Sequence, residues 1–249
     1  MYDVDWHRRH QTKTAAAADR ILSALRSALP FGSVLDVGCG DGIWLQAAQG
    51  FGIETILGVD GPWTDVAKLR IAADAVRIVD LEKPFDLGQR FDLAICLEVA
   101  EHVSRQGGEE LVHSLTAHSD LILFGAAIPF QGGFRHINEQ WQSYWVERFE
   151  TRSFRHFDLI RPQVWNADDV HFWYRQNALV YVSERRPDLI AQVEDHLKRN
   201  AIAPLPVDMV CPELYLALAS YERIAFRPLL NQLPSRAMSK FLDIVQRRI

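Results

Sequence analysis

Two short stretches of this 249-residue chain hold the side-chain types that move protons or bind metal ions. The first is Glu98-Val-Ala-Glu101-His102. If it forms one helical turn, Glu98, Glu101 and His102 fall at i, i+3 and i+4 and share a face. The second is Phe134-Arg-His136-Ile-Asn-Glu139-Gln-Trp141, entered through the flexible Gln131-Gly132-Gly133. Two chemistries fit. In one, His136 is a general base, oriented by Glu139 or Glu101, with His102 in the same cluster. In the other, Glu98, Glu101, His102 and His136 hold a divalent metal ion. Two carboxylates and two imidazoles suit Mn²⁺, Fe²⁺ or Zn²⁺ better than Mg²⁺, and such an ion lowers the pKa of a substrate hydroxyl. A bland alternative stays open, with Glu101 and His102 capping a helix and His136 structural.

The elements that would position these clusters begin upstream. Residues 34–42 read Val-Leu-Asp-Val-Gly-Cys-Gly-Asp-Gly. Val34, Leu35 and Val37 suit a buried strand, Gly38, Gly40 and Gly42 a tight turn, and the amphipathic run from Ile43 to about Phe51 a helix. A strand, a glycine-rich turn and a helix make a nucleotide-binding unit. The spacing is GxGxG, and Ile43 stands where a dinucleotide fingerprint wants a third glycine. Asp36 would repel a pyrophosphate and suits a cationic ligand. Gly38, Cys39 and Gly40 then offer bare backbone to that ligand. Asp60, followed by Gly61, ends a second predicted strand, where a carboxylate can accept from ribose hydroxyls. Asp80-Leu81 ends a third, suited to an adenine amino group and ring face. Leu97 and Glu98 end a fourth.

Further strands are predicted at 54–60, 75–81, 91–99, 121–129, 156–161 and 178–184. Helices are predicted at 13–29, 64–71 (with Thr64 as N-cap), 109–118 and 140–149. The last two strands lack a clear helix between them and suit an antiparallel pair at one edge. Strands alternating with helices imply a doubly wound, mostly parallel, seven-stranded sheet. The spacing of Trp141, Trp145 and Phe149 suits packing onto that sheet, with stacking on a substrate as the alternative for Trp141 or Tyr144. Arg175 suits either an anionic group or a surface ion pair. The N-terminal Tyr2, Trp6, His7, Arg8, Arg9 and His10 either fold over the site or fray. The pattern changes after Pro187, giving a domain over 1–186, with an N-terminal helical segment over 1–30, and an α-helical extension over 187–249 with helices at 188–200, 212–227 and 234–248. That extension packs on the sheet or on a second copy of the chain in a homodimer, or it covers the substrate.

The string at 34–42, with Asp60, Asp80-Leu81 and Leu97-Glu98, resembles the motifs of the class I S-adenosylmethionine (SAM) methyltransferases. The resemblance covers roughly residues 30–185. It implies a Rossmann-like fold, SAM as cofactor, and those residues as its binding site. The Glu-x-x-Glu-His string is similar to that of ubiquinone-pathway O-methyltransferases and small-RNA 2′-O-methyltransferases, in which such residues with a later His can hold a divalent ion. It also resembles strings in methyltransferases without metal. The expectation is methyl transfer to a small-molecule hydroxyl, of a sugar or a natural-product-like metabolite. An RNA or protein acceptor, and a non-catalytic SAM-binding role, remain alternatives. An NAD(P)-dependent oxidoreductase is disfavoured by Ile43.

Composition narrows the class further. A net charge of −5 argues against nucleic acid as a partner. Cys39, Cys96 and Cys211 match no zinc or CxxC spacing and read as reduced thiols, which with the absence of a signal-like or membrane-spanning segment points to the cytoplasm.

Overall fold

The structure is a computed structural model that describes residues 4–219, with side chains from Thr12 onward. Seven strands form one sheet: β1 (Ser33–Val37), β2 (Thr55–Asp60), β3 (Val76–Ile78), β4 (Leu93–Leu97), β5 (Leu121–Gly125), β6 (Phe154–Phe157) and β7 (Leu179–Ser183). Their order is β3-β2-β1-β4-β5-β7-β6. β7 runs antiparallel to both β5 and β6, and the other pairs are parallel. This is the expected doubly wound sheet with an antiparallel edge. The chain leaves β1 for β2 on one side and returns to β4 on the other. The carboxyl ends of β1 and β4 therefore flank the switch in strand order, where open α/β sheets bind ligands.

The helices are α1 (Val4–Ala28), α2 (Ile43–Gly50), α3 (Arg105–His118), α4 (Gln142–Glu150), α5 (Arg161–Val164), α6 (Phe172–Asn177), α7 (Pro187–Arg199) and α8 (Pro212–Ala219). Alternation along the strands divides the core between two faces. Val34, Leu93, Ile95 and Leu123 point to the face covered by α1, α2 and α7. Leu35, Val37, Ala94, Cys96 and Phe124 point to the face covered by α3 and α4. Of the aromatic stripe, Trp145 and Phe149 are buried there while Trp141 is exposed. With both faces covered, the central strands read as near-continuous apolar runs.

The structure departs from the sequence pattern in places. Residues 64–71 form no α-helix. Asp65 caps a single 3₁₀ turn, Val66–Lys68, and Thr64 Oγ1 instead donates to Gly61 O. β3 is only three residues long. The short helices α5 and α6 lie between β6 and β7.

The chain divides into two units, Met1–Cys211 and Pro212–Ile249, so the boundary falls well beyond the expected 186/187. The physical reason lies in the contacts of the segment after α7. Arg161, fully buried, donates to both oxygens of Asp158 at 2.9 Å and to the carbonyls of Pro206 and Val207. Cys211 N donates to Gln176 Oε1 at 2.7 Å. In the second unit, α8 matches the start of the predicted 212–227 helix. The rest of that helix, the 234–248 helix and Tyr2 lie outside the described residues, as do the side chains of Trp6 to His10. All three cysteines are free and buried. Among the described residues no helix is long and apolar enough to cross a membrane.

Candidate active site

The glycine-rich turn is shaped by its neighbours. Gly38 has φ 80°, and a Cβ there would sit 2.2 Å from Val99 Cγ2. Only glycine fits, and it brings β1 close to the segment after β4. Gly38 N and Cys39 N both donate to Val59 O. The Cys39 side chain turns into the core, where Gly58 makes room for its sulfur, so only its backbone faces outward. Asp60 closes the turn from β2, its Oδ2 accepting from Gly40 N at 2.7 Å and its Oδ1 from Gly61 N at 2.6 Å. Each carboxylate oxygen retains acceptor capacity for a ribose hydroxyl. Asp36 is buried, and its Oδ2 has no hydrogen-bond partner. Burial, and then the charges of Asp60 and Asp41, push its carboxyl up to about 8.

Leu81 is buried on the wall of a cavity of about 460 Å³ that also includes Gly38, Asp60, Val99 and His102. Asp80 is not on that wall. Its carboxylate accepts from Glu82 N and pairs with Lys83 at 2.8 Å, which holds it below the usual carboxylate range. The geometry therefore places Leu81 on the cavity wall and the Asp80 side chain in an exposed pair with Lys83.

Glu98 follows β4 and Leu97 in a left-handed conformation, φ 56°. Its Oε1 accepts from Asn177 Nδ2 at 2.9 Å and its Oε2 from Gln131 Nε2 at 2.7 Å. Gln131 Oε1 in turn accepts from Asn177 and Gln176. Burial pushes the Glu98 carboxyl up to about 7 against the lowering effect of these amide bonds. Sequence reasoning missed this network. Gln131, Gln176 and Asn177 are separated in the chain, and only the pairing of β5 with β7 brings them together.

Glu101 and His102 lie in a 3₁₀ turn, Ala100–His102, rather than an α-helical turn. The expected single face of Glu98, Glu101 and His102 does not form. Glu98 bonds to Asn177 and Gln131 and lies beside Glu101, while the ligand atoms of Glu101, His102 and His136 lie within 4.8 Å of one another. Glu101 is fully buried, its carboxyl lies beside the Glu98 carboxyl and the backbone of Ala127, and burial and then Glu98 raise its pKa. The His102 and His136 rings meet edge to face at 4.8 Å. Burial, together with the neighbouring His136, holds the His102 imidazole below its ordinary range. His136 Nδ1 donates to Glu139 Oε1 at 2.9 Å, and the same carboxylate accepts from Phe130 N and Gly132 N. A carboxylate only accepts, so this pairing places the proton on Nδ1 and leaves Nε2 free to take one. His136 Nε2 packs against Gly133, where a Cβ would come within 2.1 Å.

Trp63, Phe134 and Arg135 complete the cavity rim, and both aromatic rings are largely exposed. Tyr144 is engaged elsewhere, its ring under Arg148 and its hydroxyl donating to Glu109. Arg175 is buried and donates to Trp165 O. A more open depression beside Phe85, about 620 Å³, offers less. There His118 spends both ring nitrogens on backbone, Nδ1 on Ser114 O and Nε2 on Leu87 N.

This fold and glycine-turn geometry are those of a doubly wound nucleotide-binding domain, and comparison supplies the family. The methyltransferase-domain family matches residues 6–184, and the chain belongs to it as a class I SAM-dependent methyltransferase. It is similar to the ubiquinone biosynthesis O-methyltransferase of Brucella ovis, with 36% identity over 76 residues, 28% of this chain and 30% of that protein. The match therefore spans under a third of the length of that curated relative. Among solved structures it is similar to Streptomyces venezuelae DesVI (TM-score 0.55, 16% identity, 73% of this chain and 100% of that one). It is also similar to the sugar N-methyltransferase KedS8 from Streptoalloteichus sp ATCC 53650 (0.55, 18%, 73% and 93%). A third is the magnesium protoporphyrin IX methyltransferase ChlM of Synechocystis PCC 6803 with bound SAH (0.52, 17%, 74% and 89%). At these identities the structural likeness shows the fold.

Proposed function

We propose that the protein transfers the methyl group of SAM to a hydroxyl of a small sugar-like or natural-product-like metabolite. The observation that carries this reading is a single cavity reaching from Gly38, Asp60 and Leu81 to His102. Its β1–β3 side offers backbone and a carboxylate to the cofactor, and its β4–β5 side offers an imidazole to the acceptor. Asp36, Gly38, Gly40, Asp60, Gly61, Leu81, Leu97 and Glu98 form the cofactor side of this reading, together with the Cys39 backbone. SAM, when bound there, would supply its methyl group to the acceptor oxygen and leave as S-adenosylhomocysteine (SAH), its sulfur keeping the electron pair of the C–S bond. His102 lines the cavity, and burial favours the neutral form of its imidazole, the form that takes a hydroxyl proton. His136, fixed by Glu139, packs edge to face against the His102 ring and holds its orientation.

A second reading rests on the convergence of Glu101, His102 and His136. Two imidazoles and a buried carboxyl, with ligand atoms within 4.8 Å of one another, fit a divalent transition-metal ion. Such an ion, when bound, would lower the pKa of the acceptor hydroxyl. Glu98, tied to Asn177 and Gln131, is outside that ligand set.

The test is calorimetric titration of SAH into chelator-treated protein, repeated with Mn²⁺, alongside methyl transfer from labelled SAM to a panel of hydroxylated and amine-bearing metabolites. Micromolar SAH binding and label on oxygen support the proposal. Label on nitrogen alone would move the reaction to N-methylation, and no SAH binding would remove the cofactor. Binding of Mn²⁺ that is lost in Glu101→Gln would favour the metal over the free base.

A further inference from the structure

An arginine whose guanidinium has no hydrogen-bond partner stands on the wall of the cavity. Arg135 lines it beside His102 and Phe134. Its guanidinium lies over the Phe134 ring, 5.3 Å from the centroid. Among the described side chains, every other arginine donates to a carboxylate, a carbonyl or a neighbouring side chain. Examples are Arg70 to Asp41, Arg155 to Glu194 and Arg185 to Asp120. The Arg135 side chain makes no such bond.

Its placement is also built. Arg135 has φ 60°, a conformation costly for a residue with a Cβ and common at ligand sites. The chain is pinned immediately after it, where His136 donates to Glu139 and Ile137 N donates to Glu101 O at 2.8 Å. Before it, Glu139 holds Gly132. The strand order places this loop, which comes after β5, on the far side of β1 and β4 from Asp60 and Leu81. A guanidinium on this loop lines the part of the cavity that the reading above gives to the acceptor. Its planar fork matches a carboxylate or phosphate, and the exposed face of Phe134 beside it matches an apolar surface.

We propose that Arg135 and Phe134 form the acceptor's recognition subsite, and that the methyl acceptor carries an anionic group, carboxylate or phosphate, next to an apolar face. This rests on the methyltransferase reading above. It adds a requirement that reading lacks, namely charge on the acceptor.

The test uses wild type, Arg135→Gln and Arg135→Lys, each first titrated with SAH. Phenyl phosphate, phenylacetate and the neutral benzyl alcohol are then titrated into the SAH complexes. In wild type the better anion should bind about tenfold or more tightly than benzyl alcohol, and whichever anion that is identifies phosphate or carboxylate as the preferred group. Arg135→Gln should abolish the preference while leaving SAH affinity unchanged, and Arg135→Lys should keep part of it. Three results would overturn the subsite: no preference for either anion in wild type, a preference that survives in Arg135→Gln, or weakened SAH binding in Arg135→Gln. The last would assign Arg135 to the cofactor's own carboxylate. Failure of wild type to bind SAH would be a different result, against the methyltransferase reading itself.

Discussion

His136 Nδ1 lies 2.9 Å from Glu139 Oε1, and that carboxylate also holds the backbone N–H groups of Phe130 and Gly132. One side chain thus sets both the tautomer of an imidazole and the path of the loop that carries it. Phe130 has φ 69°, so the loop holds a strained residue that Glu139 helps to fix.

Glu139→Ala should therefore lower turnover by about a hundredfold, the scale of misplacing a catalytic group by about an ångström. SAH affinity should fall less than turnover, because Glu139 reaches the proposed cofactor side only through Gln131 and Glu98. Labelled-SAM turnover and calorimetry on the same preparation check this. Unaltered turnover would remove His136 and its loop from the reaction.

Asp60→Ala should show the opposite split. It removes the carboxylate proposed to accept from the ribose hydroxyls and releases Gly40 N. Hydrogen bonds to a charged group contribute roughly 1.5–3 kcal/mol each, so SAH affinity should fall by at least about tenfold. Turnover at saturating SAM should fall less than affinity. Equal SAH affinity in the variant would place the cofactor away from the β2 end.

The range of each interaction decides whether the sequence reveals it. The strands and the glycine turn were legible because Val34, Leu35, Val37 and the glycines carry their signal within a few residues. The core helix face of Trp145 and Phe149 was legible for the same reason. The sequence did not show that Asp80 would be taken by Lys83, since an acid after a strand looks alike whether it faces a ligand or a lysine three residues on. It also hid the meeting of Glu98 with Asn177, which depends on β7 entering the sheet beside β5. The reach of the first unit to Cys211 was hidden too, because many of the contacts of 205–211 are made by backbone groups, which have no residue signature, and the Asp208 side chain meets Ser143 only across 65 residues of chain.

Asp36 gives a pH test of stability. Burial first, and then Asp60 and Asp41, raise its pKa from 3.8 to about 8. The native state therefore keeps a proton that the unfolded chain has already lost. The stability this adds is complete below the unfolded value and disappears as pH rises to about 8. Asp36→Asn keeps the neutral form at every pH. Calorimetric melting from about pH 5 to about pH 8 should show wild type losing Tm relative to the variant as pH rises. A constant difference between the two would mean that Asp36 is ionised in the native protein throughout that range.

Arg161 and Asp158 test what joins the 205–211 segment to the sheet domain. Both are buried, paired at 2.9 Å through two bonds, and Arg161 also holds the carbonyls of Pro206 and Val207. Asp158 Oδ2 accepts from Leu205 N as well. Arg161→Met leaves a buried carboxylate and two carbonyls without their donor, a loss expected to cost about 3–5 kcal/mol. Pairing it with Asp158→Leu removes the stranded charge but not the need of the backbone groups for a donor. The double variant should therefore recover part of the loss and still melt below wild type. Denaturant titration of the single and double variants measures both steps. Full recovery in the double variant would show that the ion pair, and not its grip on the 205–207 backbone, is what the fold requires at this position.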